Sequence, residues 1–63
     1  MKTIKQRIIL EHNDVRMIDT IDYFDNHTYS IELYFKDNKT WHTIRTGSFY
    51  YCHELYKLLI RSW

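Results

Sequence analysis

The last third of the chain places apolar residues at three- and four-residue steps, which is the spacing of one helical face. The residues on this face are Phe49, Cys52, Leu55, Tyr56, Leu59 and Trp63. Ser48 precedes them, and its hydroxyl can accept a hydrogen bond from an unpaired N–H of the first turn. The pattern predicts a helix over residues 48–62, with Glu54 and Lys57 forming a weak ion pair on its flank.

The chain before Gly47 alternates between apolar and polar residues, which is typical of half-buried strands. Residues 28–35 alternate most clearly and predict one strand. Asp37-Asn38 is a turn signal, so residues 40–46 become the return strand of a hairpin. Residues 3–11 predict a further strand, in which one face carries Ile4, Ile8 and Leu10.

Residues 15–24 fit two structures. Their Val, Ile, Thr, Tyr and Phe favour a strand, although their apolar positions also match helical spacing. We predict a strand, because Asp25-Asn26-His27 then forms the turn of a second hairpin. The expected fold class is α+β: a small antiparallel meander of three to four strands with one C-terminal helix packed on a face. At this length we expect a single domain over residues 1–63.

The register of the hairpin around Asp37-Asn38 has two solutions. A two-residue loop pairs Ile31 with Ile44 and places Trp41 on the outer face beside Tyr34. A three-residue loop with a bulge pairs Leu33 with Trp41 and turns Ile44 outward. We favour the second register, because it buries the larger side chain.

Apolar side chains exceed what one small core needs. Hydrophobic residues make up 44% of the chain and aromatic residues 17%, and one helix covers only one face of a sheet. Exposed apolar surface of this extent is typical of self-association or partner binding. We therefore expect a homodimer that also binds a host protein. The expected contact residues are Tyr34, Trp41, Tyr50, Tyr51, Leu58, Ile60 and Trp63.

Reactive residue types are present but do not form a catalytic pattern. A single glycine excludes a phosphate-binding glycine loop, and Cys52 lies on the apolar face of the predicted helix, as a buried structural thiol would. Zinc-ligand spacing is missing among His12, His27, His42 and His53. We expect solvated acidic residues on an edge strand at Asp19, Asp22 and Asp25. We therefore expect no enzyme activity, no metal and no cofactor.

Charge is segregated along the chain. The formal net charge is +1, but residues 11–25 carry five acidic residues against Arg16 alone, so the basic residues lie in the remainder. Such segregation can steer a partner of complementary charge. The function that we favour is a non-catalytic protein-binding module. The alternative is a small nucleic-acid-binding regulator with a basic and aromatic sheet surface that uses Lys5, Arg7, Lys36, Lys39 and Arg45.

The composition adds an expectation about biological context. The chain is rich in Ile, Lys, Asn, Asp and Tyr, which is usual for AT-rich genomes. Small proteins of this kind are often phage or mobile-element accessory proteins that inhibit a host enzyme or defence factor by direct binding. This expectation is an analogy with other small proteins of similar composition. We see no signal peptide or membrane-spanning stretch in the sequence. We therefore expect the protein to be located in the cytoplasm, which is that of the host cell if the gene is carried by a phage. We expect no membrane partner.

Overall fold

The computed structural model describes residues 4–61, which form a four-stranded antiparallel sheet followed by one helix. The strands are β1 (Lys5–His12), β2 (Val15–Ile21), β3 (His27–Phe35) and β4 (Thr40–Gly47), and the helix is α1 (Phe49–Arg61). The spatial order is β1-β2-β3-β4, so each strand pairs with its neighbour in the chain. The predicted α+β meander is confirmed, and the ambiguous segment forms a strand from Val15 to Ile21.

Helix α1 begins where the sequence predicts it. The Ser48 hydroxyl accepts a hydrogen bond from the Tyr51 N–H at 3.2 Å, and the Ser48 carbonyl accepts one from the Cys52 N–H at 3.0 Å. Gly47 precedes this cap, and a Cβ there would lie 3.0 Å from Cδ2 of Tyr51, so the ring would have to shift by a few tenths of an ångström. Glycine thus lets the Tyr51 ring lie directly against the end of β4.

The core lies between α1 and one face of the sheet. Val15 and Met17 of β2 and Ile31 of β3 pack against Cys52 and Tyr56 of the helix, and all five are buried. Partly buried neighbours extend this cluster, namely Ile9, Leu10, Tyr29, Leu33, Ile44, Leu55, Leu59 and Ile60. Two central strands therefore supply most of the fully buried surface, as expected when β1 and β4 are the edges.

Each edge strand contains an irregularity that changes which side chains face the helix. In β1, Ile8 pairs with Ile18 but Leu10 pairs with Met17, so Ile9 is an extra residue. The expectation that Ile8 and Leu10 share a face is therefore wrong. The bulge places Ile8 on the face away from the helix and leaves Leu10 beside the core.

The favoured register of the β3–β4 hairpin is also wrong. Tyr34 pairs with Trp41 and Leu33 pairs with His42, which is the register of the two-residue loop near the turn. A shift between Ile31 and Glu32 then pairs Ile31 with Arg45. Ile44 is the extra residue, and it packs against the core cluster instead of facing outward. Trp41 is therefore outer and Ile44 inner, as in the two-residue-loop register, although the bulge pairs Ile31 with Arg45 rather than with Ile44.

Truncating the core should be far more costly than truncating the opposite face. Ile31→Ala should lower the free energy of unfolding by about 2–5 kcal/mol, because it removes a fully buried side chain and leaves a cavity. Ile8→Ala, on the face away from the helix, should cost less than about 1 kcal/mol. Urea unfolding followed by circular dichroism measures both, and equal losses would contradict the assignment of the core.

Candidate functional site

Six of the seven expected contact residues are described by the structure, and they lie in three different places. Tyr34 and Trp41 are paired on the face of the sheet away from α1, which we call the open face. The same face also carries Ile8, Arg16, Ile18 and Glu32. Three others lie on the outer side of the helix and expose large fractions of their surface: Tyr50 (75%), Leu58 (58%) and Tyr51 (46%). Ile60 is only partly exposed, since it packs against the core, and Trp63 lies outside the described residues.

The open face is held together by its own contacts. The Arg16 guanidinium lies 4.1 Å from the centre of the Trp41 ring, and its Nε donates to Glu32 Oε1 at 2.7 Å. The Tyr34 and Trp41 ring centres are 5.3 Å apart. Glu32 Oε2 also accepts a hydrogen bond from the Thr43 hydroxyl at 3.3 Å. A partner that used Trp41 would have to displace a stacked cation, so this face is poorly suited to docking.

Exposed apolar residues concentrate instead at one end of the sheet. The turn between β2 and β3 carries Tyr23 and Phe24, and Phe24 is 82% exposed. Lys5 pairs with Ile21, which brings the exposed Ile4 to the same end. Tyr29 pairs with Gly47, so the first turn of α1 also begins there. We call this surface the apolar end and define it by Ile4, Tyr23, Phe24, Phe49 and Tyr50.

The turn that carries Phe24 is rigidly built. One oxygen of Asp22, Oδ1, accepts hydrogen bonds from the N–H of Phe24 at 2.8 Å and of Asn26 at 2.9 Å. The Asp22 N–H donates to the Asn26 carbonyl, and the Asp25 N–H donates to the Asp22 carbonyl. Asp25 adopts a positive φ of 65°, which closes the turn. These backbone hydrogen bonds lower the pKa of Asp22, so its carboxylate stays ionised and keeps the turn closed.

A buried carboxylate holds the strands together behind this turn. Asp19 is 1% exposed and faces the helix side of β2. Its oxygens lie 2.9 and 3.1 Å from Nδ1 of His27, and Oδ2 accepts a hydrogen bond from Nε of Arg7 at 3.2 Å. Arg7 belongs to β1 and His27 begins β3, so a single carboxylate joins three neighbouring strands. The position of the β2–β3 turn is fixed by this cluster.

Stacked rings continue from the carboxylate cluster to the helix. His27 stacks on Tyr29 with ring centres 6.2 Å apart, and Tyr29 meets the edge of Phe49 at 5.3 Å. Phe49 stacks in turn on His53 at 5.4 Å. Aromatic contacts of this kind are worth about 0.5–1.5 kcal/mol each beyond area burial. The start of α1 is therefore fixed relative to the β2–β3 turn, and the apolar end is a preorganised surface.

Asp19 corrects one prediction from the sequence. The pattern places the acidic residues on an edge strand in solvent, but β2 is an interior strand and Asp19 is buried in it. Asp25 lies in the turn, so it does not share a strand face with Asp19. The sequence contains one signal for this: a carboxylate in the middle of a β-branched strand, with a histidine and an arginine available on its two neighbours.

The reactive side chains of the described residues make contacts within the fold. Burial raises the pKa of the Cys52 thiol, which disfavours the nucleophilic thiolate. The Asp19–His27 pair resembles the acid and the base of a hydrolase triad, but within residues 4–61 no hydroxyl or thiol hydrogen-bonds to His27. Nor do the described residues contain a group of three or more His, Cys, Asp or Glu side chains placed to hold a metal ion. None of the helices in this range has the length and apolar character needed to cross a bilayer.

Removing the Asp19 carboxylate should loosen the apolar end. Asp19→Ala removes the hydrogen bonds to His27 and Arg7 and should cost about 1–3 kcal/mol of unfolding free energy. Asp19→Asn should cost less, because its amide oxygen can still accept a hydrogen bond. Asp37→Ala, in the exposed β3–β4 turn, is the control and should have little effect. Urea unfolding gives the three values, and an Asp19→Ala loss equal to the control would contradict this role.

The β2–β3 turn should open in acid. Because folding lowers the pKa of Asp22, its stabilising contribution is complete above the ordinary aspartate pKa and is lost as the pH falls through the lower folded value. The amide signals of Phe24 and Asn26 should therefore shift together over that acidic range in an NMR titration. In Asp22→Asn this coupled transition should be absent. If it persists in the variant, another group controls the turn.

Comparisons with protein-family models, curated proteins and solved structures gave no match. The role of the apolar end is therefore inferred from its own residues and contacts.

Proposed function

We propose that this chain is a non-catalytic protein-binding module that contacts its target through the apolar end. The observation that carries the proposal is Phe24, which is 82% exposed although it is a large apolar ring. An isolated exposed hydrophobic residue is ordinary, but here Ile4, Tyr23, Phe49 and Tyr50 are also exposed at the same end. Large rings that enter a pocket of a partner dominate many protein interfaces.

Preorganisation supports the same function. A flexible loop loses conformational entropy when a partner fixes it, and this loss subtracts from the affinity. The hydrogen bonds from Asp22 already fix the backbone around Phe24, and the Asp19 cluster fixes the strands beneath it. A partner would therefore meet a side chain whose backbone is already fixed, so the ordering of the turn adds little cost to binding.

The charge of the turn indicates the chemistry of the partner. Phe24 lies between Asp22 and Asp25, and residues 11–25 are acidic overall. The lowered pKa of Asp22 keeps its negative charge under ordinary conditions. Carboxylates beside an apolar anchor favour a pocket that is apolar inside and rimmed by Lys or Arg. We infer that the target carries such a pocket.

The positions of the cations support a protein target over a nucleic acid. Arg16, the cation that lies over the Trp41 ring of the open face, is already paired with Glu32. The five basic residues considered for nucleic-acid binding are divided between β1 at one edge of the sheet and the β3–β4 turn with β4 at the other edge: Lys5, Arg7, Lys36, Lys39 and Arg45. A phosphate backbone is normally met by a continuous basic groove beside stacking rings.

In biological terms, we propose that binding inhibits the target by covering its pocket. The small size and an amino-acid composition that is usual for AT-rich genomes are typical of phage or mobile-element accessory proteins that act on a host enzyme or defence factor. Action of this kind would take place in the cytoplasm of the host. The pocket that accepts Phe24 would then be one that the host protein needs for its own substrate or partner.

Phe24 should be the dominant contact with the target. A photo-cross-linking phenylalanine analogue at position 24 of the full chain should capture the target in host cells, and mass spectrometry should identify it. With the purified target, Phe24→Ala should weaken binding by at least about 30-fold, the loss expected of a buried anchor. Isothermal titration calorimetry measures this change.

Phe35 provides the matched control, because it is also an exposed phenylalanine but lies at the other end of β3. The cross-linker at position 35 should capture little of the same target, and Phe35→Ala should change the affinity less than about 3-fold. Equal capture at both positions, or an unchanged affinity for Phe24→Ala, would argue against the proposal. Steeply salt-dependent binding of mixed DNA or RNA would favour the nucleic-acid alternative.

A further inference from the structure

A second exposed apolar surface runs along one flank of α1. Tyr51, Leu55 and Leu58 recur at steps of four and three residues, which aligns them on the helix surface. Tyr51 and Leu58 are 46% and 58% exposed, and Leu55 lies partly buried between this flank and the core. We call these three residues the helix stripe. It shares no residue with the apolar end, so this inference does not rest on the proposed function.

We propose that the helix stripe binds the helix stripe of a second copy of this chain, with the two helices antiparallel. The stripe is nearly the same when it is followed in either direction, because Leu55 lies between two large apolar residues. A two-fold axis beside Leu55 places Tyr51 of each copy against Leu58 of the other copy. A two-fold interface must be complementary to itself in this way.

Charge is compatible with this pairing. Glu54 lies next to the stripe, and its carboxylate would approach the interface in both copies. Lys57 of the same chain lies 2.7 Å from Glu54 Oε2 and lowers the pKa of that carboxyl group. Each copy therefore brings a neutralised ion pair rather than an uncompensated charge. The net charge of +1 adds little repulsion between copies.

The edges of the sheet favour the helix as the site of self-association. Extended sheets between copies require regular edge strands, but β1 is interrupted at Ile9 and β4 at Ile44. The exposed apolar surface of α1 has no comparable irregularity.

The size of the surface sets the strength of the dimer. The 13 residues of α1 span about 20 Å, which is short for a standard protein interface. We therefore expect a reversible dimer with a dissociation constant of about 1–100 μM, rather than an obligate one. Sedimentation equilibrium of the full chain over this concentration range should show a shift from 7.9 kDa to twice that mass.

One substitution on each face tests where the copies meet. Leu58→Glu should raise the dissociation constant at least about 30-fold, because it places a charge in the apolar contact. Ile8→Glu, on the open face, is the matched control and should leave the dissociation constant within about 3-fold. Circular dichroism confirms that both variants remain folded.

A mixing experiment tests the antiparallel geometry. Tyr51→Lys and Leu58→Glu should each be monomeric alone, but an equimolar mixture should form heterodimers, because the introduced ammonium of one variant then faces the introduced carboxylate of the other across the interface. If Tyr51→Lys does not fold, Tyr51→Gln replaces it, and heterodimer formation in the equimolar mixture is then expected to be weaker.

Three results would overturn the inference. The first is a wild-type chain that remains at the monomer mass throughout the concentration range. The second is a dimer that Ile8→Glu disrupts and Leu58→Glu does not, since the open face would then be the interface. The third is a mixture of folded variants that stays monomeric although the wild type dimerises, which would exclude the antiparallel arrangement. None of these results depends on whether Phe24 binds a target.

Discussion

The structure depends on the burial of one carboxylate. Asp19 is the buried charged residue of the described chain, so its negative charge must be compensated locally. Arg7 and His27 provide this compensation from the two neighbouring strands. Because His27 stacks on Tyr29 and Tyr29 meets the edge of Phe49, the compensation is also linked to the start of α1. A single electrostatic requirement thus determines how the exposed rings of the apolar end are arranged.

The fold could be predicted from the sequence because its signals are local. The helix follows from three- and four-residue apolar spacing after Ser48, and each strand from alternation between turn residues. The positions of the bulges could not be predicted in this way. Ile9 and Ile44 are β-branched residues that fit a regular strand equally well. Their placement is decided by packing against the helix, which is a tertiary effect.

The candidate surfaces were only partly predictable for a related reason. Tyr50, Tyr51 and Leu58 fall off the buried stripe of the helix, so periodicity alone indicates their exposure. The sequence pattern makes Phe24 part of an apolar segment, and only the end of β2 at Ile21 shows that it lies in a turn. Trp41 illustrates the opposite case. It lies away from the helix, but the guanidinium of Arg16 covers its ring, a contact between strands that no local pattern indicates.

The two proposed surfaces are compatible in one molecule because the first turn of α1 divides them. Tyr50 and Tyr51 are neighbours in sequence, but they lie about 100° apart around the helix axis. Tyr50 therefore belongs to the apolar end, and Tyr51 to the stripe that a second copy would cover. A dimer through the stripe leaves Phe24 exposed in both copies. Such a dimer would bind an oligomeric target at two points, and the second contact would form at a high effective concentration if the spacing matches. Weak self-association would then increase the occupancy of the target without any additional contact residue.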